Sequence, residues 1–452
     1  MQDTDTVPRS DSPAAGDNGI AAFLHAVREM PALPRHGRVV DAVGTLVKGV
    51  GFSARVGELC GLVVPGSLPV LAEVVGFSGE KALLAPMGPL DRVSDRSAVV
   101  AYGREHSVCV GDFLLGRVLD GLGRTFIDER GGSPHGGCAV AVSAEPPAAL
   151  SRRPIDTPIE LGIRSLDGLL TCGIGQRVGI FAPAGCGKST LLAAIAGHAS
   201  ADVIVLALIG ERGREVGEFI HHALGPVAMA RSVLVVATSD RPAMERARAA
   251  QVATAIAEYF RDQGKSVLLM VDSVTRYARA LREIGLAAGE PPARRGFPPS
   301  VFSNLPKLFE RSGQGANGSI TAFYTVLEET DDGQDPISEE VRSLLDGHIV
   351  LSRKLASMGH FPAIDILLSA SRVMTRLVTA DHVDASNRVK ELWARYKDLE
   401  ILIQVGEYKP GEDMEADAAV NLNPCIRRFL RQDLSQKSTF TQTLDDLWSL
   451  QS

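Results

Sequence analysis

The chain carries six cysteines, and no two of them stand at the short spacing that a zinc site or a redox motif requires. That argues against a zinc site, and it points to reduced thiols in a cytosolic setting. Aromatic residues make up only 5% of the chain, with two tryptophans among 452 residues. The balance of charge is acidic, −7, which argues against nucleic acid as the default partner. Long apolar runs are missing too; none approaches the roughly 20 residues of a membrane-spanning helix. The first residues are polar and acidic, so no secretory leader is expected.

What is present is ordinary for a soluble protein: 45% hydrophobic and 22% charged residues. The length predicts two to four domains with ample core. Residues 1–18 are rich in Asp, Ser, Pro and Ala and predict disorder. Ile20, Phe23, Leu24 and Val27 then fall on one helical face, which suits either the protein's own body or a partner helix. From residue 36 to about 105, short apolar runs alternate with glycines, the pattern of a small antiparallel β-barrel. This stretch has no basic cluster interleaved with aromatics, which lowers the prospect of a nucleic-acid-binding barrel. Residues 108–154 read as a connector. Strand and helix runs alternate from about 157 to 370, predicting a mostly parallel sheet wrapped by helices. After residue 379 the pattern is helical, over 385–402 and 416–430.

The chemistry centres on residues 179–190, Gly-Ile-Phe-Ala-Pro-Ala-Gly-Cys-Gly-Lys-Ser-Thr. An apolar strand, 178–181, leads into a glycine-containing loop and then a helix, 191–196. Strand, loop, Lys-Ser and helix form a phosphate-binding loop. Its candidate binding residues are Ala184, Gly185, Cys186, Gly187, Lys188, Ser189 and Thr190. The glycines let backbone N–H groups turn inward on a phosphate chain, and the helix N-terminus adds partial positive charge. Lys188 suits the β- and γ-phosphates, and the Ser189 hydroxyl suits Mg²⁺. The first loop position holds Ala182 in place of glycine, so a methyl group must fit there.

Three further stretches complete the set. The apolar run 203–209 ends in Gly-Glu-Arg, placing Glu211 and Arg212 just beyond a strand, where a carboxylate polarises water. The run 266–271 ends in Asp272, the pattern of an acid that holds the Mg²⁺ hydration shell. Arg372 follows the run 364–371, where it is either a surface residue or an arginine finger.

These residues bring the chain close to a known family. From residue 36 onward it resembles the ATPases of type III secretion systems, relatives of the catalytic subunits of rotary F- and V-type ATPases. The resemblance rests on long strings at 153–158, 167–177, 208–216, 258–264, 285–296, 335–354 and 369–372. It implies an α/β fold: a RecA-like P-loop ATPase core with an N-terminal β-barrel and a C-terminal helical domain. The implied division is a tail and docking helix over 1–35, the barrel over 36–105, the ATPase domain over 106–378 and the helical domain over 379–452.

The resemblance also assigns roles. Glu211 looks like the base that aligns the water, Arg212 its phosphate-side companion and Asp272 the Walker-B acid. Arg372 looks like the finger given to a neighbouring subunit's nucleotide. Phe361, before Pro362, matches an aromatic beside the adenine, and Leu434 stands where a second one is expected. ATP is the implied substrate and Mg²⁺ the implied cofactor. The implied assembly is a cytoplasmic homohexamer, peripheral at the bacterial inner membrane. Its implied partners are a stator-type regulator at the N-terminus, a central stalk protein at loops 288–296 and 406–413, chaperone–effector complexes and the export gate. Residues 182–190 and 238–245 look more like the injectisome branch than the flagellar export ATPase, which is the alternative. A ring-shaped RNA translocase of the transcription-terminator type is a remoter one, disfavoured by the acidic charge. A non-catalytic ring subunit would lack the carboxylate that this chain keeps at Glu211.

Overall fold

The computed structural model describes residues 36–126, 137–328, 335–433 and 435–450. The helical face at Ile20 to Val27 and the Leu434 position lie outside them. Six strands open the described chain: β1 His36–Val43, β2 Leu46–Val50, β3 Glu58–Val63, β4 Val70–Ser78, β5 Lys81–Pro86 and β6 Ala98–Glu105. They close into a barrel in the order β1-β2-β5-β4-β3-β6. Alternation drives this. Cys60 and Leu62 on β3, and Ala72 and Val74 on β4, are two residues apart and point inward with Val39, Val47, Leu84 and Val99. Closure leaves no unpaired edge.

Two short strands, β7 Ser107–Val110 and β9 Cys138–Ala141, pair antiparallel beside the barrel. Between them, β8 Arg117–Asp120 joins the edge of the large sheet next to β12. The connector read from the sequence therefore contributes a core strand. Four residues are too few to show a strand pattern within a glycine-rich stretch.

The large sheet runs β17-β16-β10-β15-β13-β11-β12-β8. Its remaining strands are β10 Arg177–Ala182, β11 Val203–Ile209, β12 Ser232–Ala237, β13 Ser266–Asp272, β14 Gly313–Gln314, β15 Ser319–Leu327, β16 Gly347–Leu351 and β17 Ile364–Ser371. All pairings along this path are parallel except β16 with β17, and β14 adds antiparallel to β15. Both faces are buried, so the central strands read as continuous apolar runs rather than alternating ones. On β11, Val205, Ala207 and Ile209 face one core with the alanine-rich helix Ala243–Asp262. Ile204, Leu206 and Leu208 face the other, with the helix Lys188–His198.

Three helices end the described chain: Ala380–Val405, Met414–Leu430 and Phe440–Ser449. Each has a side-chain N-cap, from Thr379, Asp413 and Thr439 respectively. They pack on the second core through Trp393, Phe429 and Leu447. Among the described residues, no helix is long and apolar enough to cross a membrane.

One buried ion pair joins the barrel to the domain of the large sheet, and a second lies within that domain. Arg248, on the helix Ala243–Asp262, donates from Nε to Glu73 of β4 at 2.8 Å and from Nη1 to Ser143 at 2.9 Å. Arg311 pairs with Glu258 and donates to the Val142 carbonyl at 2.8 Å. Removing one member leaves a buried charge without its partner. Arg248→Ala is expected to destabilise the protein by about 3–5 kcal/mol. Urea unfolding monitored by far-UV circular dichroism checks this; an unchanged midpoint would show that the joint between barrel and sheet does not depend on the pair.

Candidate active site

The phosphate loop leaves the sheet at the carboxyl end of β10. Ala182 is still part of the strand, paired with Leu327 of β15, and its carbonyl accepts from the Glu328 N–H at 3.1 Å. Extended backbone accommodates any side chain, which explains alanine where the loop pattern has glycine. Gly185 and Gly187 differ. Their φ values are +81° and +80°, in the left-handed region that disfavours a Cβ. A methyl on Gly187 would also lie 3.5 Å from the Phe361 ring. The helix Lys188–His198 starts immediately after, with Lys188 in its first position and Ser189 next to it.

Parallel strands bring three charged groups together. Asp272 ends β13 and is in register with Leu208 of β11, three residues before Glu211. The Lys188 Nζ donates to Asp272 Oδ1 and lies 3.5 Å from Glu211 Oε1. Two further contacts fix the carboxylates. Thr325, on β15, donates its hydroxyl to Asp272 Oδ1 at 2.7 Å. Arg276 Nη1 lies 2.6 Å from Glu211 Oε2. Arg276 belongs to the helix Val274–Ala287, whose N-cap Ser273 immediately follows Asp272. Its side chain packs over Gly210, where a Cβ would come within 2.8 Å of Arg276 Cδ.

Glu211 is buried, and its pKa is raised above the ordinary carboxylate value. Burial is the largest cause and the neighbouring Asp272 charge adds to it, while Lys188 and Arg276 oppose both. Ser189, Thr190, Glu211 and Asp272 line one cleft of about 380 Å³ with Glu215, Val216 and His222. A hydroxyl and a carboxylate are hard oxygen donors. Mg²⁺ held through one or two protein oxygens, phosphate oxygens and water is consistent with that pair. The residues present therefore fit the metal, with Ser189 and Asp272 as its protein side.

Thr190 also lines a larger cavity of about 680 Å³, along with Cys186, Gly187, Leu191, Phe361 and Pro362. Phe361 is 43% exposed and forms part of its wall. The backbone N–H of Gln432 donates to the Phe361 carbonyl at 3.0 Å, linking this wall to the C-terminal helices.

Two residues singled out in the sequence lie apart from Lys188. The Arg212 side chain is 81% exposed on the rim, 3.4 Å from Glu215. Arg372 is exposed at the far end of the sheet. Because β17 runs antiparallel to β16, its last residue, Ser371, is opposite Gly347. The Arg372 N–H donates to the Asp346 carbonyl, and the Asp346 carboxylate accepts from the N–H of Arg177, the first residue of β10. The loop follows the last residue of β10, so the length of that strand, about 20 Å at roughly 3.3 Å per residue, separates the Arg372 backbone from its own loop.

Sequence reasoning missed Arg276, Thr325 and Gln432. Arg276 had a faint signal, an arginine one helical turn beyond a strand-terminal aspartate. Thr325 and Gln432 reach the site only through strand pairing and domain packing.

Residues 162–371 match the ATP synthase alpha/beta family, nucleotide-binding domain. Residues 378–449 match the T3SS EscN ATPase C-terminal domain. A type 3 secretion system ATPase from Xanthomonas euvesicatoria is 54% identical over 417 residues, 92% of this chain and 94% of that one. A flagellum-specific ATP synthase from Pseudomonas aeruginosa is 48% identical over 437 residues, 95% of this chain and 96% of that one. Among solved structures, the assembled ATPase EscN of the enteropathogenic E. coli type III secretion system is 52% identical, with a TM-score of 0.88. It covers 92% of this chain and 100% of its own. EscN in complex with its central stalk EscO is 51% identical with a TM-score of 0.85, at the same coverage. The chain belongs to the type III secretion system ATPases of the ATP synthase alpha/beta family.

Proposed function

We propose that this ATPase drives type III protein secretion as a homohexamer, with each nucleotide site completed by the neighbouring subunit. The observation that carries this is the placement of Arg372, exposed and a strand's length from its own loop, while Lys188, Glu211 and Asp272 converge. One chain holds both halves of a site, and only a second copy brings them together.

In this reading the N–H groups of the 185–190 stretch and the helix N-terminus hold the phosphates, and Lys188 exchanges its carboxylate contacts for β- and γ-oxygens. Ser189 and Asp272 would hold Mg²⁺, which supplies charge neutralisation on those oxygens when bound. Glu211 orients a water and takes up its proton as the oxygen attacks the γ-phosphorus. The bond to the β,γ-bridging oxygen breaks, and ADP leaves with that electron pair. Arg372 from the neighbour meets the charge that spreads over the transferring group, and Arg212 sits at the rim of the same cleft. Phe361 forms the adenine side.

The work done is the release of chaperones from export substrates, their unfolding and their delivery to a gate at the inner membrane. The barrel, over 36–105, forms one ring, and the helical domain, from 379, faces a central stalk through loops 288–296 and 406–413. The first residues meet a stator-type regulator. The second reading, flagellar protein export, is favoured by the similarity to the Pseudomonas aeruginosa protein named above.

The raised pKa of Glu211 has a kinetic consequence. The base must be ionised, so kcat/KM falls as pH drops through the pKa of the free enzyme. Because that pKa is raised, the acid limb is expected above the ordinary carboxylate range, and Glu211→Gln should be inactive at every pH while still binding ATP. A pH profile of kcat/KM beside a nucleotide-binding assay checks both, and an active Gln variant would remove Glu211 from the chemistry.

Complementation tests the shared site. Arg372→Ala and Lys188→Ala are each expected to be inactive; an arginine finger contributes on the order of 10³–10⁵ in rate. Mixed rings contain interfaces with an intact loop on one side and an intact finger on the other. Turnover should reappear on mixing and grow with concentration. Arg372→Ala alone at the wild-type rate would contradict the proposal.

A further inference from the structure

Besides the backbone link through Asp346 to the start of β10, the Arg372 guanidinium is tied toward the subunit's own loop through Arg342. The helix Pro336–Leu344 has Arg342 in its last turn, where backbone carbonyls lack intrahelical donors. The Arg372 Nη2 donates to the Arg342 carbonyl at 3.1 Å. A cation at the negative end of a helix is held by the dipole as well as by the hydrogen bond. The resting position of the Arg372 guanidinium is therefore set by where this helix turn lies.

The Arg342 side chain runs the other way, toward the helix N-terminus. Its guanidinium lies over the Phe181 ring, 4.6 Å from the centroid, and 3.5 Å from Glu328 Oε1. Both partners border the phosphate loop. Phe181 is the penultimate residue of β10, fully buried, and its ring is folded against Gly179, where a Cβ would lie 2.6 Å from it. Glu328 donates its N–H to the Ala182 carbonyl, the point where strand becomes loop. His348 closes the cluster edge-on to Phe181, with ring centroids 6.3 Å apart. Among these contacts, Arg342 touches the loop's strand with its side chain and the finger with its backbone.

We propose that Arg342 is a positioning residue that ties the finger a subunit offers its neighbour to that subunit's own phosphate loop. This rests on the reading of Arg372 as a finger acting in trans. A shift of β10 and Glu328 on nucleotide binding moves the Arg342 guanidinium, and the rigid last turn carries the movement to Arg372. The occupancy of one site then sets how well the next is completed. Coupling of this kind needs a contiguous physical link between two sites, and the Phe181–Arg342–Arg372 series is one.

The test separates finger placement from damage to the loop. Arg342→Met keeps an apolar arm against Phe181 and removes the guanidinium. Misplacement of a catalytic group by about 1 Å costs on the order of 10²-fold in rate, so kcat should fall by about that factor. Binding of a fluorescent ATP analogue to the variant's own site, and ring assembly by sedimentation, should match wild type. Arg342→Lys, which keeps a cation over the ring without the planar fork, should fall between the two. Should the methionine variant fail to assemble, the lysine variant carries the same comparison. A loss of analogue affinity in step with kcat would place Arg342 in its own loop's service and overturn the inference. Wild-type kcat in Arg342→Met, with Arg372→Ala inactive, would overturn it while leaving the trans finger standing. Wild-type turnover in Arg372→Ala would remove the finger reading, and this inference with it.

Discussion

Lys188 sits between two carboxylates, bonded to Asp272 and 3.5 Å from Glu211, and the site is organised by that contact. Two carboxylates held this close would repel each other without a cation between them. Asp272 comes from the end of β13, Glu211 from beyond β11, and Thr325 from β15 between β10 and β13. Parallel strands present their carboxyl ends on one edge, so a single lysine at the head of a helix reaches both carboxylates, while Thr325 holds Asp272 from the other side. The same arrangement leaves the lysine and the carboxylates poised for exchange. In the proposed reaction a polyphosphate would compete for Lys188, and a metal held by Ser189 would compete for Asp272. Arg276 keeps Glu211 from collapsing fully onto the lysine, since it holds the second carboxylate oxygen at 2.6 Å.

A second constraint is the reversal at the sheet edge. If β17 were parallel like its neighbours, its last residues would lie beside the phosphate loop, and Arg372 would belong to its own site. Because it is antiparallel, one strand begins near the wall formed by Phe361 and ends at Arg372 on the opposite edge. The subunit thereby presents a loop at one end of the sheet and an exposed arginine at the other. Rigid attachment of the barrel through Arg248 and Glu73, and of the C-terminal helices through Gln432 and Arg164, keeps the two ends in a fixed relation.

Much of this was legible in the chain. Short apolar runs set between glycines over residues 36–105 announced the barrel, and unbroken apolar runs such as 203–209 announced buried parallel strands. The Gly-Cys-Gly-Lys-Ser string could be placed between strand and helix from local pattern alone. What escaped was long-range. Strand β8 is four residues long and gains its character only from pairing with β12. Thr325 reads as one β-branched residue in a strand, and only the β13–β15 pairing directs its hydroxyl at Asp272. Arg342 reads as a solvated helix charge; its side-chain and backbone contacts appear when the helix lies across Phe181. Arg372 was ambiguous for the same reason, since a strand's direction is not written in its residues.

The claim that one chain holds two half-sites is tested most directly by dilution. Specific ATPase activity and ring formation should be measured on the same samples across a wide range of protein concentration, the latter by sedimentation. The account predicts that turnover per subunit is low in the dilute monomer and rises in step with assembly, because the neighbour's Arg372 arrives only then. Constant turnover per subunit in samples shown to be monomeric would contradict it.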